Sequence, residues 1–181
     1  MKKSLYLLVF MSILAFSANA QIKGLPQGGG PLPNGAKQVN AGFGFSNNGL
    51  PVYGGMDFGV GSDITVGFDI GYRSYNRTHK GLGYRTTVFS MAAIANYHFN
   101  RILEIPNNWD VYAGLNVGYS NVSNRWNGSG DPTYDWSENS GLGLGLQVGA
   151  RYYFNQNWAI NLELNGGNRL SGGRIGVSYR L

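Results

Sequence analysis

The chain has 181 residues, a formal net charge of +5, 29 Gly, 12 Tyr and no Cys. Charged residues make up 13%, far below the ordinary share, while aromatics reach 14%. This excludes a charged disordered chain and a collagen-like one, and the missing Cys excludes a disulfide scaffold, a thiolate zinc site and a lipid-modified cysteine.

The chain opens as an export signal. Lys2 and Lys3 precede an apolar run over 5–16, and Ala18-Asn19-Ala20 has the small-x-small form of a cleavage site. Residues 1–20 are therefore expected to be removed, so that the mature chain begins at Gln21. The loss of Lys2 and Lys3 leaves 14 − 2 = 12 basic against 9 acidic residues, a net +3 with no Lys/Arg cluster. No nucleic-acid partner is expected. No later stretch approaches the ~20 apolar residues that a spanning helix needs. Residues 21–37 are Pro/Gly-rich without a period and read as a flexible leader, with the barrel domain over 38–181.

From Val39 the pattern becomes alternation, repeated about eight times, with no convincing helical period. Segments 39–46 and 52–60 follow it loosely. Ile64, Val66, Phe68, Ile70 and Tyr72 alternate with Thr65, Gly67, Asp69, Gly71 and Arg73. Segment 85–99 continues the rule, with Val88 and Ile94 as exceptions on the otherwise polar face. Val111, Ala113, Leu115, Val117 and Tyr119 alternate with Tyr112, Gly114, Asn116, Gly118 and Ser120. Over 141–154 one face is Leu142, Leu144, Leu146, Val148, Ala150, Tyr152 and Phe154; the other is Gly and polar. Segments 158–165 and 174–181 complete the set. The turns at 61–63, 100–108 and 155–157 alternate with connections at 73–85, 120–140 and 166–173, mostly longer and polar; only 47–51 is short on that side. Short and long connections alternate in this way in a transmembrane barrel.

Alternation alone also suits a soluble sandwich, so the orientation of the faces has to be argued. A water-facing strand surface carries Lys and Glu. Here the mature lysines are Lys23, Lys37 and Lys80, all outside the predicted strands. The polar face is Gly, Asn, Ser, Tyr and a few ions of both signs, the content of a crowded lumen. Aromatic placement agrees. Phe58, Tyr97, Phe99, Trp109, Tyr152, Phe154, Trp158 and Tyr179 collect on the apolar face at the short-turn end. Amphipathic rings favour a membrane boundary, and such a girdle is a barrel feature. Phe45, Tyr72 and Tyr119 suggest a thinner second girdle.

The last residues, 174–181, read polar-x-Gly-x-x-aromatic-x-hydrophobic through Gly176, Tyr179 and Leu181. This resembles the terminal-strand signal recognised by the barrel assembly machinery of Gram-negative bacteria, with Leu181 where Phe is commoner. The strand–turn–strand phrases at 149–159 and 97–100 resemble those of small outer-membrane β-barrels of the OmpA/OmpX/opacity-porin type from Bacteroidetes-like bacteria. The likeness runs from Val39 to Leu181. It implies a closed, eight-stranded antiparallel transmembrane β-barrel in the outer membrane, with outer-membrane lipid and lipopolysaccharide around it and both termini periplasmic. The OmpA branch carries a peptidoglycan-binding domain after its barrel. This chain ends at the barrel, so that function is not carried over.

An eight-stranded barrel leaves an interior just wide enough for side chains. The inward set holds Asp57, Asp69 and Glu163 against Arg73, Arg151, Arg174 and Arg180. Buried charges persist only when paired. Glu163 lies on a strand flanked by those of Arg151 and Arg174, so a bridge to one of them is expected. Abundant inward Gly would relieve crowding against Tyr53, Tyr112 and Tyr153. The alternative is a water-filled pore.

Catalytic signals are weak. His79 falls in a loop and His98 near the short-turn rim. The His-x-Ser pattern of the lipid A deacylases is absent at His98-Phe99-Asn100. The Gly-x-Gly-x-Gly at 141–145 is strand alternation, because Leu146 and Val148 fall where a dinucleotide loop would need its third Gly. Asp131, Asp135 and Glu138 match no calcium loop. Trp126, Tyr134 and Trp136 in the longest loop are candidate recognition residues for protein or glycan. The expected role is structural or interaction-based, without cofactor or enzymatic activity: membrane integrity, surface contact, or accessory subunit of an outer-membrane assembly. A narrow solute pore is second, and a lipid-modifying enzyme third.

Overall fold

The computed structural model describes residues 29–46, 49–79, 82–126, 140–168 and 171–181. The expected signal 1–20, leader residues 21–28 and Lys80 lie outside the described residues. Eight strands follow one another: β1 (Lys37–Phe45), β2 (Val52–Gly59), β3 (Ile64–His79), β4 (Leu82–His98), β5 (Trp109–Trp126), β6 (Gly141–Tyr153), β7 (Trp158–Gly167) and β8 (Gly172–Arg180). Each pairs antiparallel with the next, and β1 pairs with β8, so the sheet closes into a barrel. Closure is what strands crossing hydrocarbon require, because every backbone N–H and C=O then finds a partner.

The faces are inverted relative to a soluble protein. Leu144, on β6, is 68% exposed, and Phe68, Met91, Leu115, Leu162 and Val177 are also exposed. Gln38, Asn96, His98, Asp110, Gln147, Glu163 and Ser178 are buried. Val88 and Ile94 point inward as well, apolar exceptions among polar neighbours. The close fit explains some inward glycines. A Cβ at Gly149 would overlap the Tyr112 ring, and one at Gly176 would meet the Tyr53 hydroxyl at 2.5 Å.

The turns form as local chemistry dictates. Asn155 Oδ1 accepts from the N–H groups of Asn157 (2.9 Å) and Trp158 (2.7 Å), closing the β6–β7 turn. Asn100 pins the β4–β5 turn across its base, donating to Trp109 O (2.6 Å) and accepting from Val111 N (3.1 Å).

Three expectations need correction. The connections at 73–85 and 120–140 are partly strand: β3 runs to His79, β4 starts at Leu82 and β5 runs to Trp126. Beyond the belt the outward face is polar, as at Ser74, Asn76, Thr87, Asn121 and Ser123, so the ladder continues where alternation disappears. Lys37 is not outside the strands. It is the first residue of β1, exposed, and paired in register with Phe58.

The third correction concerns the leader, whose described part, 29–36, is bound to the barrel. A turn from Ala36 N to Pro33 O (3.0 Å) brings Gly35 N to Gly59 O (2.8 Å) and Gly59 N to Ala36 O (3.0 Å). At its other end Gly29 lies against Asn107 O so closely that a Cβ would overlap it. Asn107 belongs to the β4–β5 turn and Gly59 ends β2, so the segment crosses the barrel end as a strap. Leu32 at its centre is 2% exposed. Burial of Leu32 and these backbone bonds hold a sequence whose composition alone reads as coil.

Candidate functional site

The lumen holds the polar chemistry of the described chain, in three tiers. At the short-turn end Arg180, on β8, donates Nη1 to Gly29 O (3.3 Å) and Nη2 to Gly30 O, and stacks 4.1 Å from the Tyr153 ring centroid. Tyr153 donates to Gln38 Oε1 (2.5 Å). Beside them His98 Nδ1 donates to Asp110 Oδ1 (2.6 Å), and His98 Nε2 lies 3.0 Å from Thr65 Oγ1.

The middle tier is centred on Arg151, 3% exposed on β6. Its Nη2 meets Asp57 Oδ2 on β2 at 2.6 Å, and its Nη1 meets Asp110 Oδ2 on β5 at 3.1 Å. One guanidinium thus ties opposite walls of the barrel. It also lies 4.4 Å from the Tyr112 ring centroid. Asp57 accepts a further bond from Asn40 (3.0 Å), whose Oδ1 accepts from Ser178 (2.7 Å) and Gln38 (3.1 Å).

The upper tier is centred on Arg174. It pairs with Glu163, its direct register partner on β7, through Nε (2.6 Å), and with Asp69 across the lumen. Tyr112 donates to the other Glu163 oxygen (2.9 Å). Of the two arginines flanking Glu163, the pairing is therefore with Arg174, while Arg151 takes Asp57 and Asp110. Charged hydrogen bonds in a dry interior are strong, and each carboxylate here has a cation or several donors.

Arg73 stands apart. It lies over the Tyr75 ring at 5.7 Å and makes no ion pair with another described residue. It lines a cavity of about 140 Å³ opening at the long-strand end, with Asp69, Ser90, Asn116 and Arg174 also in its wall. Below this the free space shrinks to about 10 Å³ between Tyr112, Arg151 and Glu163. That is room for about one water.

Alternation extended one residue before Val111 would have put Asp110 on the inward face, since it follows a girdle residue. The inward list missed it. Thr65, His98 and Asp110 also have the order of a nucleophile, base and orienting acid. All three are buried, and neither of the two lumen cavities described above is lined by them.

The girdle residues Phe58, Tyr97, Phe99, Trp109, Tyr152, Phe154, Trp158 and Tyr179 lie at the short-turn ends of their strands. Trp109 and Tyr152 pack at 4.9 Å, Trp158 and Tyr179 at 4.7 Å, and Tyr97 and Phe99 at 5.2 Å between ring centroids. Gly176 and Tyr179 lie on β8, and Leu181 N donates to Lys37 O (3.0 Å), extending the β8–β1 seam. Trp126 ends β5, so it is not in a loop, and His79 ends β3. Tyr134, Trp136, Asp131, Asp135 and Glu138 lie outside the described residues.

An apolar belt outside and ion pairs within define a transmembrane β-barrel. The family model for the outer membrane protein beta-barrel domain matches residues 6–180, and the chain belongs to this family. It is a protein of the outer membrane. Among solved structures it is similar to the outer membrane protein OprG of Pseudomonas aeruginosa, at 10% identity over 86% of this chain and 99% of that one, with a TM-score of 0.59. It is also similar to Neisserial surface protein A, at 15% identity over 81% and 95% of the two chains, with a TM-score of 0.54. These likenesses concern the fold. No curated protein matches the chain.

Proposed function

We propose that the protein is a closed outer-membrane barrel with a structural or interaction role, neither a channel nor an enzyme. The observation that carries this reading is the Arg151 bridge to Asp57 and Asp110, which joins opposite walls across the lumen. The strap over 29–36 supports it, because it covers the same passage at the short-turn end, the periplasmic end in outer-membrane barrels. The cavity at the other end is then a dead-end vestibule. Contact with other molecules falls to the outer surface and to the long-strand end, with Tyr134 and Trp136 as the candidate recognition residues. In biogenesis, Gly176, Tyr179 and Leu181 would serve as the assembly signal.

Planar-bilayer recording tests the reading. The purified protein should give no steady conductance steps at moderate voltage; reproducible steps of one size would favour the pore. The strap gives a second test, since the chain has no cysteine. A single cysteine introduced at Thr65 should react slowly with a water-soluble maleimide. Adding Leu32→Asp should speed that reaction at least tenfold, because a carboxylate is costly to bury where Leu32 lies. Equal rates would mean that the strap covers nothing.

A further inference from the structure

We propose that Arg85 and Arg125 form a binding site for the phosphate groups of the lipid in the leaflet at the long-strand end. The two residues are direct register partners on β4 and β5, and both are exposed. By the two-residue period they share the outward face with Phe89 and Met91 on β4 and with Val117 and Tyr119 on β5. Like charges placed opposite one another across a strand pair repel. No described carboxylate relieves this pair. Arg85 Nε donates to Ser74 Oγ on β3 (3.0 Å), its Nη groups make no hydrogen bond to a described residue, and Arg125 has no hydrogen-bond or ion-pair partner among the described residues. Such a pair is tolerated where anionic groups supplied from outside sit against the two guanidinium groups.

The height on the barrel says which anion. Phe89 and Asn121 form the register pair four residues nearer the belt. Four residues at ~3.3 Å each on a strand tilted by ~40° place the arginines about 10 Å beyond that row. Among the described side chains of these two strands, Phe89 and Tyr119 are the last exposed apolar ones. The pair therefore stands on the outward face above the belt, from where long Arg side chains reach back to headgroup depth. Guanidinium forks bind phosphate oxygens in bidentate fashion, and two of them on neighbouring strands suit a lipid that carries more than one phosphate. This surface lies outside the lumen, so conductance results leave it untouched.

The test uses the full barrel in non-ionic detergent micelles, with the thermal unfolding midpoint as readout. Three additions are compared: bisphosphorylated lipid A, the same lipid A with its phosphates removed, and inorganic phosphate at equal phosphate concentration. A ligand that binds only the folded state raises the midpoint. Bisphosphorylated lipid A should raise it by a few degrees, and the other two should not. In Arg85→Ala/Arg125→Ala, and to a lesser degree in Arg125→Gln alone, this rise should fall by at least half. Without lipid the midpoints of both variants should equal or exceed that of the parent, because repulsion has been removed. An undiminished rise in the double variant, an equal rise with dephosphorylated lipid A, or a rise with inorganic phosphate alone would each overturn the assignment.

Discussion

Arg151→Ala should destabilise the barrel by about 3–5 kcal/mol, the cost of leaving buried charge without its partner. Arg151 faces two carboxylates, Asp57 at 2.6 Å and Asp110 at 3.1 Å, all three nearly inaccessible to solvent. With the guanidinium gone, Asp57 keeps one bond from Asn40 and Asp110 keeps His98. Urea unfolding in lipid vesicles, followed by tryptophan fluorescence and gel mobility, measures the loss. Asp57→Asn/Asp110→Asn/Arg151→Met should recover most of it, since it removes the charges together. A loss below about 1 kcal/mol for Arg151→Ala would mean that water enters the middle tier freely.

Leu144→Arg should cost about 1–3 kcal/mol, between the values for a cation at the bilayer midplane of a barrel and near its interface. Leu144 is the fourth residue of β6, in register with Val117 on β5 and one outward row from Tyr119. Gln147→Arg, three residues on and inward, should be tolerated better. Gln147 donates to Asn96 (2.7 Å) and accepts from Asn116 (3.2 Å), so those bonds are lost. It also borders the cavity of about 140 Å³, into which a longer side chain can extend. The same vesicle unfolding assay compares the two. Equal costs would contradict the assignment of faces on β6.

The eight strands were readable because hydrocarbon on one side and packed polar groups on the other impose a two-residue period. That period also placed Asp57, Asp69, Arg151, Glu163 and Arg174 within the lumen. It failed where the constraint ends. The upper parts of β3, β4 and β5 stand beyond the belt, where the outward face is polar too, so the alternation that marks a strand is lost there. Asp110 was missed because it lies between girdle and belt, at the edge of the readable pattern. Segment 29–36 was read as coil because its composition permits nothing regular; its place is set by Gly59, Asn107 and Arg180, far away in sequence.

From the sequence by itself came the strand count, the inward and outward faces, and the membrane. These follow from short-range alternation and from the scarcity of charge. The tertiary structure alone decided that Arg174 takes Glu163 and Asp69 while Arg151 takes Asp57 and Asp110. It also decided that the strap crosses the short-turn end and that Arg85 faces Arg125. Partner choice depends on register and on distances across a closed cylinder, which bring together residues as far apart in sequence as Asp69 and Arg174. No local pattern encodes that.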